Sequence, residues 1–270
     1  LKGEKIMKKF LTVALAGVLA ASMLFTGCSK KAESKVPDKL IVGTNAEFPP
    51  FEYMNDKKQP EGFDIAMIKE IGKRMGKKVE IKNMEFKSLI GAMESDSINA
   101  IIAGMTKTEK REKAVDFSDS YYTTNQAIIL KKDSKITKLA QLDGKKIGVQ
   151  EGTTGDLISS GDKFGDGKKA KVLVKGAKVK RFKKGVDAVM DLKNGSVDAV
   201  VIDELTANEF VKKNAKKLKI VIDSAGSEYY CIALTKGNTA YKEEVNKQIK
   251  AIKEDGTYDK LKAKYIDSKN

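Results

Sequence analysis

The sequence predicts an α/β protein built from two similar lobes, and three observations carry that prediction. Short apolar runs ending in polar residues alternate with segments of helical period, as buried strands alternate with the helices that cover them. The run Ser97-Ile98-Asn99-Ala100-Ile101-Ile102-Ala103-Gly104 aligns without gaps on Ser196-Val197-Asp198-Ala199-Val200-Val201-Ile202-Asp203, at an offset of 99 residues. A second echo sets Lys39-Leu40-Ile41-Val42-Gly43-Thr44-Asn45 beside Lys145-Lys146-Ile147-Gly148-Val149-Gln150. Open α/β sheets place ligands just beyond the carboxyl ends of their strands, so two such lobes would offer paired strand ends.

At the amino terminus, Met7-Lys8-Lys9 precedes an almost unbroken apolar or small run from Phe10 to Phe25, the pattern of a secretory signal. It is short for a spanning helix. It ends in Phe25-Thr26-Gly27-Cys28-Ser29, which resembles a bacterial lipobox. The expectation is a lipoprotein signal peptide over 7–27, lipidation of Cys28 with palmitate, and a polar, Lys-rich flexible tether over 28–38. Such a chain would sit on the extracellular face of the cell membrane, held by its lipid. An uncleaved anchor, or a plain signal with a coincidental cysteine, is the alternative. The six residues ahead of Met7 read as translated upstream leader. Cys231 is the other cysteine, so no internal disulfide is possible once Cys28 carries lipid.

Composition removes several functions. The 270 residues contain no His and no Trp, which excludes histidine general-base catalysis, Ser-His-Asp triads and His-ligated zinc. No cofactor or metal is expected. Lys and Arg total 52 against 37 acidic residues, a formal charge of +15. The lysines are scattered in pairs, with no stripe and no nucleic-acid motif, so no nucleic-acid partner is expected and solvated faces explain the charge.

In the first lobe, the strand Leu40 to Thr44 leads into a loop, Asn45 to Tyr53, that Pro49 and Pro50 hold extended. Phe48 on that loop would cover a ligand or plug the local core. Gly62-Phe63-Asp64 opens a helix with Met67, Ile71 and Met75 on its core face, stopped near Gly76. Val79 to Ile81 reads as a strand, and Phe86 precedes an amphipathic helix through Leu89, Ile90 and Met93. Asn99 to Ala103 is a buried strand, which places Gly104 to Thr106 just past its carboxyl end. Thr108 reads as the N-cap of a short helix that fixes Arg111 at a set distance from Thr106. A guanidinium is a planar fork matching a carboxylate, so this stretch is a candidate carboxylate half-site. The bland alternative is one more surface charge. Asp203 ends the echoing strand in the second lobe. Arginine suits a carboxylate and aspartate an ammonium, and a free α-amino acid carries both.

Several ordered motifs now form a recognisable set. Gly43-Thr44-Asn45-Ala46-Glu47-Phe48-Pro49-Pro50-Phe51-Glu52-Tyr53, Gly62-Phe63-Asp64, Ala103-Gly104-Met105-Thr106 with Arg111, and Val115-Asp116-Phe117-Ser118-Asp119-Ser120-Tyr121-Tyr122 together resemble the polar amino-acid family of extracellular solute-binding proteins of ABC transporters. The likeness runs over residues 39–267. It implies a type II periplasmic-binding-protein-like fold, with lobe 1 over 39–126 plus 223–268, lobe 2 over 127–222, and two hinge strands between them. It also implies that Arg111 and the Thr106 N–H hold the ligand carboxylate, while the Gly104 carbonyl and the Thr106 hydroxyl receive the ammonium. Phe48 and Phe86 match the aromatic pair that sandwiches the ligand side chain. Asn45 matches a side-chain-reading position that is acidic in several relatives, and its neutrality here counts against a strictly cationic substrate.

In the second lobe, Gln126 to Leu130 reads as the outgoing hinge strand and Ile220 to Asp223 as the return. Leu139 to Val149 is a short helix, a glycine turn and a strand delivering Gln150-Glu151-Gly152-Thr153-Thr154-Gly155-Asp156. That segment lacks the Lys and spacing of a P-loop. Ahead of a helix its N–H groups would complete the carboxylate grip through Thr154, and Gln150 matches a family position that touches ligand. Glu151 as a general base has no partner nearby. Val186, Val189 and Met190 mark a core-facing helix. Asp203 either caps the helix that follows or contacts the ammonium. The chain returns through Glu228 to Leu234 and ends in helices with Val245, Ile249 and Ile252 on one face and a closing segment from Tyr258 to Tyr265.

The expected function is capture of a polar amino acid of the glutamine, cystine or arginine class and its delivery to an ABC transporter permease. The rival is an exported enzyme on the same fold, of the cyclohexadienyl dehydratase type, because fold does not fix function.

Overall fold

The computed structural model describes residues 34–164 and 171–267. The expected signal segment and the lipobox with Cys28 lie outside the described residues. The chain begins with β1 (Lys39–Thr44), whose neighbours β2 (Glu47–Phe48), β3 (Glu52–Met54) and β4 (Pro60–Glu61) form a small antiparallel meander around the two prolines. Helix α1 (Phe63–Arg74), β5 (Lys78–Asn83), α2 (Leu89–Glu94), β6 (Ala100–Ile101), the single-turn α3 (Glu109–Glu112) and the long strand β7 (Val115–Lys131) follow. Next come β8 (Lys146–Gln150), α4 (Thr154–Ser159), the antiparallel pair β9 (Lys163–Phe164) and β10 (Lys171–Val172), β11 (Lys178–Phe182), α5 (Gly185–Asn194), β12 (Ala199–Asp203) and α6 (Glu204–Lys212). A second long strand, β13 (Leu218–Thr235), returns to helices α7 (Thr239–Glu254) and α8 (Thr257–Tyr265).

The sheet order explains the internal echoes. Among the described residues eight strands pair as β11-β8-β12-β7-β13-β6-β1-β5. Read inward from either end, the order is the same: two parallel pairings, then an antiparallel one to a long strand. β6 therefore stands in one half where β12 stands in the other, and β1 where β8 stands. The fold is the expected pair of α/β lobes joined by two strands. β7 and β13 run through both halves and pair along their length, with register shifts on either side of Cys231 and a larger one between Asp223, opposite Gln126, and Glu228, opposite Thr124.

Four local readings change. The outgoing strand starts at Val115, well before Gln126. Its first half hides behind Asp116, Ser118, Asp119 and Ser120, and the register shifts opposite Phe117 to Tyr122 break a simple alternation: Val115 and Phe117 pack into one core cluster and Tyr121 into another. The return strand is longer too, reaching Thr235 instead of ending at Asp223. On α5, Val189 is buried but Val186 and Met190 are exposed at 39% and 56%. The core face is Gly185, Ala188, Val189 and Leu192, about one position round the helix from the expected stripe. The tether is also fixed from Ser34 onward. Ser34 Oγ accepts from the Ala240 N–H, the Lys35 carbonyl accepts from Asn238 Nδ2, and Val36 packs on the core, so this end covers the start of α7.

Elsewhere the periodic residues pack as their spacing requires. Met67 and Ile71 on α1 and Val245, Ile249 and Ile252 on α7 are buried, with Met75 part-buried at the end of α1.

Candidate functional site

Beyond β6 the chain turns at Gly104, whose φ is +51°. A Cβ there would stand 3.1 Å from Phe48 Cε1 and 3.3 Å from Tyr230 Cε2, so both the turn and the close ring contact favour glycine. The Gly104 N–H donates to Asp64 Oδ2 at 2.7 Å, and the Tyr121 hydroxyl donates to the same oxygen at 2.7 Å. Asp64 and Glu52 are fully buried together. Burial lifts the Asp64 carboxyl to about 6, against the pull of these two donors, and lifts Glu52 well above the carboxylate range, with the charge of Asp64 adding to it.

Thr108 caps α3 as its position suggested: its hydroxyl accepts from the Arg111 N–H at 3.3 Å. Arg111 is buried, donating from Nη1 to the Thr106 carbonyl at 2.6 Å and from Nη2 to the Gly152 carbonyl at 3.0 Å. Its guanidinium carbon lies 5.3 Å from the centre of the Phe86 ring. Burial lowers its pKa to about 10, opposed by the nearby Glu228 and Asp203, and it remains a cation at neutral pH.

The other half supplies the facing wall. Thr153 caps α4 by accepting from the Asp156 N–H, which leaves Thr154 at the first helical position. Gln150 Nε2 donates to Asn45 Oδ1 at 2.8 Å and to the Lys183 carbonyl at 3.2 Å, while its Oε1 is buried with no partner among the described residues. Asp203 stands at the N-cap position of α6, yet its side chain makes no capping bond. Its Oδ1 accepts from the Tyr230 hydroxyl at 2.8 Å. Burial, then the charge of Glu228, raises the Asp203 carboxyl well above its usual range.

Phe48, Phe86, Gly104, Thr106 and Arg111 from one half and Gln150, Thr154 and Asp203 from the other line a single cavity, joined by Ala103 and Thr153. Its volume is about 10 Å³, one water's worth, so a larger guest enters only when the walls part. Asn45 is the candidate that does not line it. Both polar groups of Asn45 are engaged, Oδ1 by Gln150 and Nδ2 by the Met84 carbonyl at 2.8 Å, so it ties the halves together behind the cavity. Glu151 is ion-paired with Lys87 at 2.9 Å. A larger crevice of about 660 Å³, between Met54 and the exposed Val186 and Met190, lies away from these residues and gathers none of their polar groups.

Two residues escaped the sequence reading. Glu228 is 1% exposed and accepts from Thr106 Oγ1, Gln126 Nε2 and Thr154 Oγ1. Gln126 is fully buried beside it. Each is a polar residue at the head of an apolar strand run, and that is the signal that marks them.

The Bacillus subtilis (strain 168) protein "Arginine-binding extracellular protein ArtP" is 33% identical over 263 residues, covering 96% of this chain and 98% of its own. A solved structure described as an ancestral arginine-binding protein bound to arginine is 41% identical, with a TM-score of 0.75, covering 86% of this chain and 100% of the other. The ancestral amino acid-binding protein AncCDT-1, described as a precursor of cyclohexadienyl dehydratase, is 33% identical with a TM-score of 0.74, over 84% of this chain and 95% of its own. Residues 40–268 match the family described as bacterial extracellular solute-binding proteins, family 3, and with more than half its length in that match the chain belongs to this family.

Proposed function

We propose that this protein binds a polar L-amino acid between its two lobes and presents it to an ABC transporter permease. The observation that carries the reading is the closed cavity with Arg111 and Asp203, one from each half, on its wall. Arg111 receives the α-carboxylate, helped by the N–H groups of Thr106 and Thr154. Asp203, the Gly104 carbonyl and the Thr106 hydroxyl receive the ammonium, and Phe48 and Phe86 cover the side chain. The unpartnered Gln150 Oε1 offers an acceptor to a side-chain donor, which suits a guanidinium or a carboxamide. Relatives named for arginine support that class.

Closure is a hinge motion at the register shift between Asp223 and Glu228, with lobe 1 over 39–126 plus 223–268 on one side and lobe 2 over 127–222 on the other. The ligand drives it through its higher affinity for the closed form. A micromolar affinity corresponds to about 8 kcal/mol net, within reach of two charge-assisted contacts plus aromatic burial. In the cell the chain is exported and held at the outer face of the membrane by lipid on Cys28.

A second reading, an enzyme on this fold, draws on the two buried carboxyls beside the cavity, since a raised carboxyl pKa suits a general acid. A thermal-shift screen of the purified chain against the amino acids, cystine and prephenate, followed by calorimetry of the hits and a turnover assay, separates the two. Stabilisation by one or a few amino acids without turnover supports transport. Silence across the amino acids, or turnover of prephenate, overturns it.

A further inference from the structure

Resting on that reading, the carboxylate bonded to two of the cavity's threonines is one that the amino-acid grip does not use. Glu228 sits on β13 directly after the register shift, where the two halves meet, and it is buried. Around it stand one residue of the first half, one of the second and one of the connecting strand. Thr106 Oγ1 and Gln126 Nε2 donate to it, and Thr154 Oγ1 lies 2.7 Å from both of its oxygens.

An ionised carboxylate can only accept hydrogen bonds. A threonine hydroxyl bonded to it must therefore be the donor, and each hydroxyl has a single proton. With that proton held by Glu228, what the oxygen offers any other neighbour is lone pairs. Thr106 and Thr154 also line the cavity. Gln126 Nε2 donates to the Thr154 oxygen at 3.3 Å, so Thr154 keeps less free acceptor capacity than Thr106.

We propose that Glu228 is a positioning residue: by taking the hydroxyl protons of Thr106 and Thr154 it turns their oxygens into acceptors, and so builds the cradle for the ligand's ammonium. It acts through the two threonines and does not itself need to touch the ligand. Its charge adds a second negative group beside Asp203, and Arg111 balances one of the two. A neutral amide at the same place would reverse the pattern. Its NH₂ would donate to one hydroxyl, whose proton would then face the cavity and repel an ammonium. Protonation does the same, and burial raises the Glu228 carboxyl in spite of its donors and of Arg111. The groups that face it are Thr106, Thr154, Gln126, Asp203 and Arg111, so ligand affinity falls as pH is lowered.

The test is a double-mutant cycle on the full chain, read by calorimetry with L-arginine, L-glutamine and L-histidine. Glu228→Gln and the paired change Thr106→Val with Thr154→Val should each raise Kd about tenfold, and the variant carrying all three should raise it no further, because the first change acts through the hydroxyls that the second removes. Glu228→Asp keeps an acceptor-only group and should recover most of the loss. If Glu228→Gln does not fold, Glu228→Met, of similar length without a polar head, takes its place in the cycle. An unchanged Kd in the Glu228 variant, or losses that multiply to about a hundredfold, would overturn the role of Glu228 and leave amino-acid binding standing. Failure of the wild-type chain to bind any of the three would overturn both.

Discussion

Arg111 is the residue on which the carboxylate assignment turns, and the sequence showed its local setting without showing its partners. The Thr108 cap, the short helix and the preceding strand were legible as local patterns, whereas the Gly152 carbonyl that meets Nη2 belongs to the other half of the chain. Arg111→Ala should raise Kd for every bound amino acid by about a hundredfold or more, as expected for a charge-assisted fork. Normal binding by calorimetry would remove the assignment. Asn45 shows the opposite case. Its position was read as facing ligand, but its amide is held by Gln150 and Met84, contacts formed by residues distant in sequence. Asp64 was seen as the start of a helix, and its acceptor role toward Gly104 depends on the same kind of distant contact. Its buried carboxyl is raised from 3.8 to about 6, so the folded state holds the proton more tightly than the unfolded chain. The contribution is complete below about pH 4 and is lost as pH rises through 6, by about 3 kcal/mol for two pKa units. Asp64→Asn should flatten this decline. Urea midpoints at pH 4.5 and 7 that change in parallel in the two proteins would contradict it.

At the scale of elements, caps and apolar stripes were readable because they depend on neighbours three or four residues away. Helix α3 is a single turn, too short to hold itself, so its cap matters more than it would in a long helix. Thr108→Ala should cost about 1 kcal/mol in urea unfolding and weaken amino-acid binding a few-fold through looser carriage of Arg111. Intact affinity with lost stability would separate the cap from the site. The stripe on α5 was misread because Val186 and Met190 are apolar residues on a face the fold leaves exposed, while the true contact face uses the small Gly185 and Ala188. Small residues at close contacts carry little hydrophobic signal. Gly155 is another instance: a Cβ on it would stand 2.7 Å from the Val201 carbonyl, so it lets α4 lie against β12 and present Thr154. In sequence it looked like part of a weak phosphate-loop pattern.

For the whole molecule, the repeat in the sequence was the most informative feature, since it predicted two similar halves before any contact was known, and the sheet order repeats it. What it could not predict is how the halves grip each other around the cavity. Lys87 pairs with Glu151 at 2.9 Å, Lys183 with Glu85 at 2.6 Å and Lys184 with Glu47 at 2.7 Å, each bridge joining one half to the other. Exposed pairs contribute about 0.2–1 kcal/mol each and are screened by salt. These three, however, all break together if the lobes part about the hinge, so their sum biases closure and therefore ligand affinity. The buried contacts to the ligand are screened much less. Raising NaCl from about 0.05 to 0.5 M, across the range in which the Debye length falls to a few ångströms, should raise Kd severalfold. The triple variant Lys87→Gln, Lys183→Gln, Lys184→Gln should bind more weakly at low salt and lose most of that dependence. A triple variant with the wild-type salt slope would show that these bridges form without favouring the closed state, and that the buried residues at the hinge, Glu228 among them, carry closure alone.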